Sequence, residues 1–343
     1  MKRKTHKSPT MNDVARAAGV TQATVSYVLN NTGEISEPVK KRVLDAADEL
    51  GYILNIVARN LKLNKTNTIG IIVPDVMNSY YSEMIKFTEK ITREHGYFTF
   101  ICNTMHNPEV EDWYVTTLIQ HKVAGVLVCY GMTNRTSMQK LRNYNVPFVV
   151  IDDELEPEFT ESSCVLMNNI KGSYLAVQHL ISLGITDIAY FSEPLYNLSL
   201  KHRYQGFKMA MEQLGLQMDE NMIYITQDEA DNDKIAQGYT ATSEVLEKVR
   251  PRGIYASTDQ MAFGVLKRLH ELRIKVPEDI AVIGYDNVPF SSVISPSLTT
   301  INQPVLTMCI QGSGMLFNMI DGKDEPRKQI MLEPSIIIRE SAP

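Results

Sequence analysis

From Thr68 onward, short apolar runs of strand length alternate with stretches of helical periodicity, and that alternation leaves few folds open. Strands are predicted at 69–73, 97–102, 123–129, 148–151, 188–191, 253–256 and 280–285. Helices fall between them, among others at 80–95, 170–183, 204–214 and 261–272. Repeated strand–helix–strand units require parallel sheets covered by helices on both faces, the doubly wound α/β architecture. About 270 residues of this pattern suit two linked lobes with a cleft between them. A hydrophobic fraction of 44% supplies their cores. No segment approaches the roughly 20 apolar residues of a membrane helix. The basic N-terminus has no apolar stretch behind it, so no secretory signal is read and the cytoplasm is the expected location.

The first 65 residues stand apart in charge. They hold 11 Lys and Arg against 6 Asp and Glu, a net of +5, while the rest of the chain carries −11 of the overall −6. A basic head on an acidic body suits a chain whose first part meets phosphate. Thr10-Met11-Asn12-Asp13 is a capping-box pattern that opens a helix with Val14, Ala17 and Ala18 on one face, and Gly19 ends it. Thr21 can cap a second helix over 22–29, with Val25, Val28 and Leu29 as its apolar face. Asn30-Asn31-Thr32-Gly33 is a loop, and Ser36-Glu37-Pro38 starts a third helix with the stripe Val39, Val43, Ala46, Ala47 and Leu50. Three short helices with a tight glycine turn between the first two form a helix-turn-helix. On that reading Gln22 and Ala23 face base edges, while Thr21, Thr24 and Ser26 donate to phosphate oxygens.

The four cysteines are dispersed and read as small buried hydrophobes. The seven histidines show no metal-ligand spacing. There is no GxSxG, no GxxxxGK[ST] loop, no HExxH and no GxGxxG after a strand. The chain is therefore read as a binder without catalytic machinery, metal or cofactor.

The run Thr10 to Asn30, TMNDVARAAGVTQATVSYVLN, resembles the DNA-binding head of the lactose/galactose repressor (LacI/GalR) family. Asp13-Val14-Ala15, Gly19-Val20, Thr24-Val25-Ser26 and Val28-Leu29-Asn30 carry the likeness. Tyr27 departs from the Arg or His often found late in the recognition helix, so no base preference is carried over. The segment after the head, Asn55-Ile56-Val57-Ala58-Arg59-Asn60-Leu61-Lys62, resembles the family's hinge helix. The resemblance implies that it orders when paired with its dimer mate on DNA. Ala58 would allow close approach, Leu61 would wedge between base pairs, and Arg59 and Lys62 would reach phosphates. Implied domains are a head over 1–54, a hinge over 55–66, and a two-lobed body over 67–343 resembling periplasmic sugar-binding proteins.

Markers of that body follow in order: Phe191-Ser192-Glu193-Pro194, Arg203-Tyr204-Gln205-Gly206-Phe207, Ser257-Thr258-Asp259-Gln260-Met261-Ala262, Val282-Ile283-Gly284-Tyr285-Asp286 and Leu298-Thr299-Thr300-Ile301-Asn302-Gln303-Pro304. Ligands of such folds sit at the C-terminal ends of strands, where Asp75, Asp152 and Asp286 fall. By position in the markers, Asp152, Arg203, Thr258, Asp286 and Gln303 resemble the effector-contacting set. Arg203 is read as opening a helix after a strand and loop. Tyr80 and Tyr81 offer an aromatic platform, Tyr81 serving the lobe core equally well. Thr258 departs from the Asn or Asp common at its position, and Asp259 reads as a helix cap.

The implied function is a homodimeric repressor of pseudo-palindromic double-stranded operator DNA, switched by a small effector. A sugar or sugar phosphate is favoured and a purine stays open, as does the choice between release and corepression. A protein corepressor has no sequence feature of its own to support it. Competing classes are a solute-binding protein, opposed by head and hinge, and a sugar- or nucleotide-modifying enzyme, opposed by the missing motifs. The C-terminus shows no heptad tail, which favours a dimer over a tetramer. Exchanging Gln22→Ala is expected to relax preference at one operator position by about 1–3 kcal/mol. Binding across a randomised operator library checks this, and an equal loss on every sequence would contradict it.

Overall fold

The computed structural model describes residues 8–30, 32–53, 66–129, 135–152, 162–195, 197–227, 233–323 and 328–343. Two units result, Met1–Thr66 and Asn67–Pro343. The hinge residues Asn55, Ala58, Arg59, Leu61 and Lys62 lie outside the described residues.

The head contains α1 (Met11–Ala18), α2 (Gln22–Leu29) and α3 (Glu37–Glu49). Its capping box closes as the spacing requires. The Thr10 hydroxyl accepts from the Asp13 N–H at 3.3 Å, and the Asp13 carboxylate accepts from the Thr10 N–H at 2.9 Å. Gly19 ends α1 at φ 63°, a left-handed conformation that glycine adopts without cost. Thr21 caps α2 by accepting from the Thr24 N–H at 3.1 Å. Val14, Ala15 and Ala18 pack on Val25, Val28, Val43, Ala46 and Ala47. Ala15 takes the place expected of Ala17, because a rotation of about 100° per residue puts Ala15 and Ala18 on one side of Val14 and Ala17 on the other. Leu50 is exposed rather than part of the stripe.

The body is two three-layer α/β lobes. Lobe 1 has a sheet of order β11-β5-β4-β3-β1-β2, built from β1 (Thr68–Val73), β2 (Phe98–Asn103), β3 (Gly125–Val128), β4 (Phe148–Ile151), β5 (Ser163–Met167) and β11 (Gln329–Leu332). Lobe 2 has the order β12-β10-β9-β8-β6-β7, from β6 (Ile188–Ser192), β7 (Ile223–Ile225), β8 (Gly253–Ala256), β9 (Ala281–Asp286), β10 (Thr299–Asn302) and β12 (Ser335–Ile337). Every pairing is parallel except that of β10 with β12. The central strands β3, β4, β6, β8 and β9 are buried along their whole length, as expected where helices cover both faces.

In lobe 1, α4 (Ser79–Glu94) and α11 (Val305–Ile320) cover one face, while α5 (Pro108–Gln120) and α6 (Arg135–Asn143) cover the other. In lobe 2 the corresponding pairs are α7 (Asn169–Ser182) with α8 (Leu198–Gln213), and α9 (Lys234–Lys248) with α10 (Asp259–Glu271). The chain crosses between lobes after β5, after β10 and between β11 and β12.

The seven strands expected from the sequence are present, with ends shifted by a few residues at most. The additional strands β5, β7, β10, β11 and β12 were not expected: β7 and β12 are only three residues long, and β10 and β11 are polar or half-exposed. The reading of Asp259 as a cap is corrected. Thr258 caps α10, accepting from the Met261 N–H at 3.3 Å. Asp259 is buried and accepts from the Val288 N–H at 2.9 Å, the Ser291 hydroxyl at 2.6 Å and the Thr300 hydroxyl at 2.5 Å. It thereby ties α10 to the segments around β9 and β10.

The α9–α10 pair depends on two glycines. A Cβ on Gly264 would collide with the Ile235 carbonyl oxygen, and one on Gly238 with that of Met261. Gly264→Ala is expected to force the helices apart and cost about 1–3 kcal/mol. An unchanged denaturation midpoint would contradict this packing.

The ligand cleft and the reading helix

The cleft is lined from both lobes. Asp152, just past the end of β4, comes from lobe 1 with Asn78, Tyr80 and Tyr81. Lobe 2 supplies Glu193 past β6, Thr258 past β8, Asp286 at the end of β9, and Asn197, Ser199, Leu200 and Arg203 around the start of α8, with Lys234 at the start of α9. Both aspartates have positive φ, 71° at Asp152 and 117° at Asp286. Such backbone is strained for a residue with a side chain, and strain of this kind is concentrated at functional sites.

Arg203 organises the floor. Its Nε donates to Asn169 Oδ1 at 3.0 Å, its Nη1 to the Ser257 carbonyl at 2.7 Å, and Nη1 stands 3.5 Å from Asp286 Oδ1. The guanidinium lies over the Tyr285 ring, 3.8 Å from its centroid, and the Tyr285 hydroxyl donates to Asn169 Oδ1 at 2.9 Å. Gln303 Nε2 donates to Asp286 Oδ1 at 2.7 Å, and the Tyr80 hydroxyl donates to Gln303 Oε1 at 3.0 Å. Through Gln303, which sits in the crossing after β10, the chain of hydrogen bonds runs from lobe 1 to lobe 2. The Ser199 hydroxyl adds a second link, donating to the Asp152 carbonyl at 3.0 Å.

Burial pushes the Asp152 carboxyl up to about 7, against the opposing pull of Arg203. Burial likewise raises Asp286 to about 6, again opposed by Arg203. Burial works against the Arg203 charge, but Asp286 and its neighbours outweigh it and hold the guanidinium protonated. Asp152 Oδ1 is buried with no hydrogen-bond partner among the described residues. The Tyr80 hydroxyl is the hydrogen-bond neighbour of the same carboxyl and opposes the upward push of burial.

Of the residues singled out in the sequence, Tyr80, Tyr81, Asp152, Arg203, Thr258 and Asp286 come together in the cleft. Gln303 stands behind Asp286 rather than in the lining, and Asp75 is outside it, accepting from the Met77 N–H at 2.8 Å. Arg203 lies in the second turn of α8 instead of opening it, because Asn197 caps the helix by accepting from the Leu200 N–H at 2.7 Å. That cap was the missed signal, and with it came Asn197 and Ser199. Asn169, which holds Arg203, and the lining residues Glu193 and Lys234 were also not expected at the site. Among the described residues no group of His, Cys, Asp or Glu could hold a metal ion, and no helix is long and apolar enough to cross a membrane.

In the head, Val25 and Val28 of α2 face the core, which leaves Gln22, Ala23 and Tyr27 exposed. Tyr27 is 51% exposed, with its ring alongside Gly33. Thr21 is exposed and its hydroxyl lies 2.9 Å from that of the half-buried Thr24. Asn30 Nδ2 donates to the Ser26 carbonyl at 2.7 Å and to the Ser26 hydroxyl at 3.3 Å, closing the end of the helix.

A helix-turn-helix head and a two-lobed body with a polar cleft at the strand ends define a DNA-binding regulator built on a binding-protein fold. Residues 10–55 match the model of bacterial regulatory proteins of the lacI family, and residues 177–342 match the periplasmic binding protein-like domain. The chain is 36% identical to the HTH-type transcriptional repressor PurR of Vibrio parahaemolyticus, over 97% of this chain and 98% of that one. The lac repressor dimer bound to operator and the anti-inducer ONPF superposes with a TM-score of 0.86 at 25% identity, over 98% of this chain and 99% of the other. The transcriptional regulator CelR in complex with cellobiose gives 0.74 at 26% identity, over 97% and 99%. The chain belongs to the LacI family, and it is a DNA-binding transcriptional repressor, not an enzyme.

A carboxyl whose folded pKa is raised contributes stability that is full below the ordinary carboxylate range and is lost as pH rises through the folded value. The ligand-free protein is therefore expected to lose on the order of a few kcal/mol between about pH 4 and 7. Asp152→Asn should flatten part of that slope. Denaturant titrations across this range check it, and a wild-type profile that is flat or rising would contradict it.

Proposed function

We propose that this repressor acts in the cytoplasm as a homodimer whose operator affinity is set by a neutral, hydroxyl-rich small molecule, a sugar, held between the lobes. The observation that carries this reading is the unpartnered Asp152 Oδ1 facing the Arg203–Asp286 pair across one cleft. A sugar hydroxyl both donates and accepts, so it can donate a hydrogen bond to Asp152 and accept one from a guanidinium at the same time. Tyr80 and Tyr81 supply rings beside the polar floor. The cellobiose bound to the related CelR structure supports the class. Asp286 and Glu193 already neutralise Arg203 and Lys234 in the lining, which argues against a sugar phosphate.

On DNA, Gln22, Ala23 and Tyr27 read bases, with Thr21, Thr24 and Ser26 on phosphates and Thr10 and Asn30 fixing the ends of the two helices. The hinge over 55–66 passes the state of the body to the head, with Leu61 as its wedge and Arg59 and Lys62 on the backbone. Gln303 supports the cleft from behind Asp286.

A thermal-shift screen of the full chain against neutral sugars, sugar phosphates and purines tests the ligand class. A dose-dependent rise with a neutral sugar, lost in Asp152→Asn and in Arg203→Met, is expected. A rise with purines alone, or with sugar phosphates alone, would contradict it.

A further inference from the structure

Glu193 and Lys234 form an ion pair in the wall of the cleft. Lys234 Nζ lies 2.9 Å from Glu193 Oε2, with side-chain exposures of 11% and 5%. The two come from different segments, the end of β6 and the first residue of α9. A pair this buried recovers little of the free energy lost on leaving water, and apolar side chains of similar volume would pack as stably. Its place in a ligand cleft gives it another use.

The pair is neutral as a unit but presents a donor and an acceptor side by side. An ammonium has three N–H donors, and Glu193 engages one of them. A hydroxyl can donate to the carboxylate and accept from the ammonium without breaking the pair. An anionic group cannot, because Lys234 is already neutralised and Asp286 and Asp152 line the same cleft. We propose that the Glu193–Lys234 pair is a specificity wall that accepts an uncharged hydroxyl of the ligand and rejects the phosphorylated form of the same compound. The inference rests on the sugar-like reading of the cleft and adds to it the device that discriminates.

The test uses the full chain with inorganic phosphate as one probe and the neutral sugars of the screen as the other. In E193Q, Lys234 loses its counter-charge, and phosphate is expected to bind at least about tenfold tighter than to wild type. The double variant E193Q/K234M, which has no cation in the wall, should return to the wild-type level. Neutral sugars that shift the wild type should bind roughly tenfold more weakly to K234M. Should E193Q fail to fold, E193D retracts the carboxylate by one methylene and should show a smaller gain for phosphate. A wild type that already binds phosphate as tightly as E193Q, or no gain in either Glu193 variant, would overturn the wall. Absence of any sugar hit with the phosphate gain intact would remove the ligand reading and leave the charge discrimination standing.

Discussion

The body depends on one buried cation. Arg203 sits in the interior with its charge shared among Asp286, the Ser257 carbonyl, Asn169 and the face of Tyr285. Burying a guanidinium is unfavourable unless its donors are met, so each partner is fixed by the need to meet them. Asn169 opens α7, Ser257 follows β8, and Asp286 ends β9, so one side chain holds three elements of lobe 2 in register. Gln303 then carries the arrangement to Tyr80 of lobe 1. Satisfying Arg203 thus fixes the lobe 2 wall of the cleft. A molecule that binds Asp152 and the Arg203 network together bridges both lobes, and its differential hold on open and closed forms is what can bias them.

The two units divide the work by their charge and cores. The head has a small alanine and valine core, which permits short helices to approach closely and leaves polar side chains of α2 outward. Its net positive charge favours DNA without specifying sequence, and the acidic body repels phosphate in general. Within the cleft Asp152, Glu193 and Asp286 stand beside Arg203 and Lys234.

Much of the fold was legible because parallel strands covered on both faces are continuous apolar runs, and 148–151 and 253–256 were placed residue for residue. Of the strands that escaped notice, β7, β11 and β12 are edge elements where half-exposed or polar residues break the pattern, β10 is rich in threonine, and β5 is a buried apolar run that was passed over. Asp152, Arg203 and Asp286 could be placed together from strand ends and motif order. Their setting could not, because Asn169 and Gln303 are brought in by the crossings between lobes, more than 30 residues or nearly 20 residues away from the groups they hold. Asp259 misled for a related reason. Its position at a helix start mimics a cap, yet its three donors come from residues 29 to 41 positions further on. Glu193 and Lys234 gave no sequence signal, since their pairing exists only once β6 and α9 are side by side.

Coupling of the cleft to the operator requires that each ligand change the affinity for the other. The most direct measurement is the affinity of the full chain for operator DNA with and without the ligand found by thermal shift, alongside the affinity for that ligand with and without operator. Both are expected to change by the same factor, about 5- to 150-fold, as reciprocal coupling requires. Tight ligand binding that leaves operator affinity unchanged would contradict it.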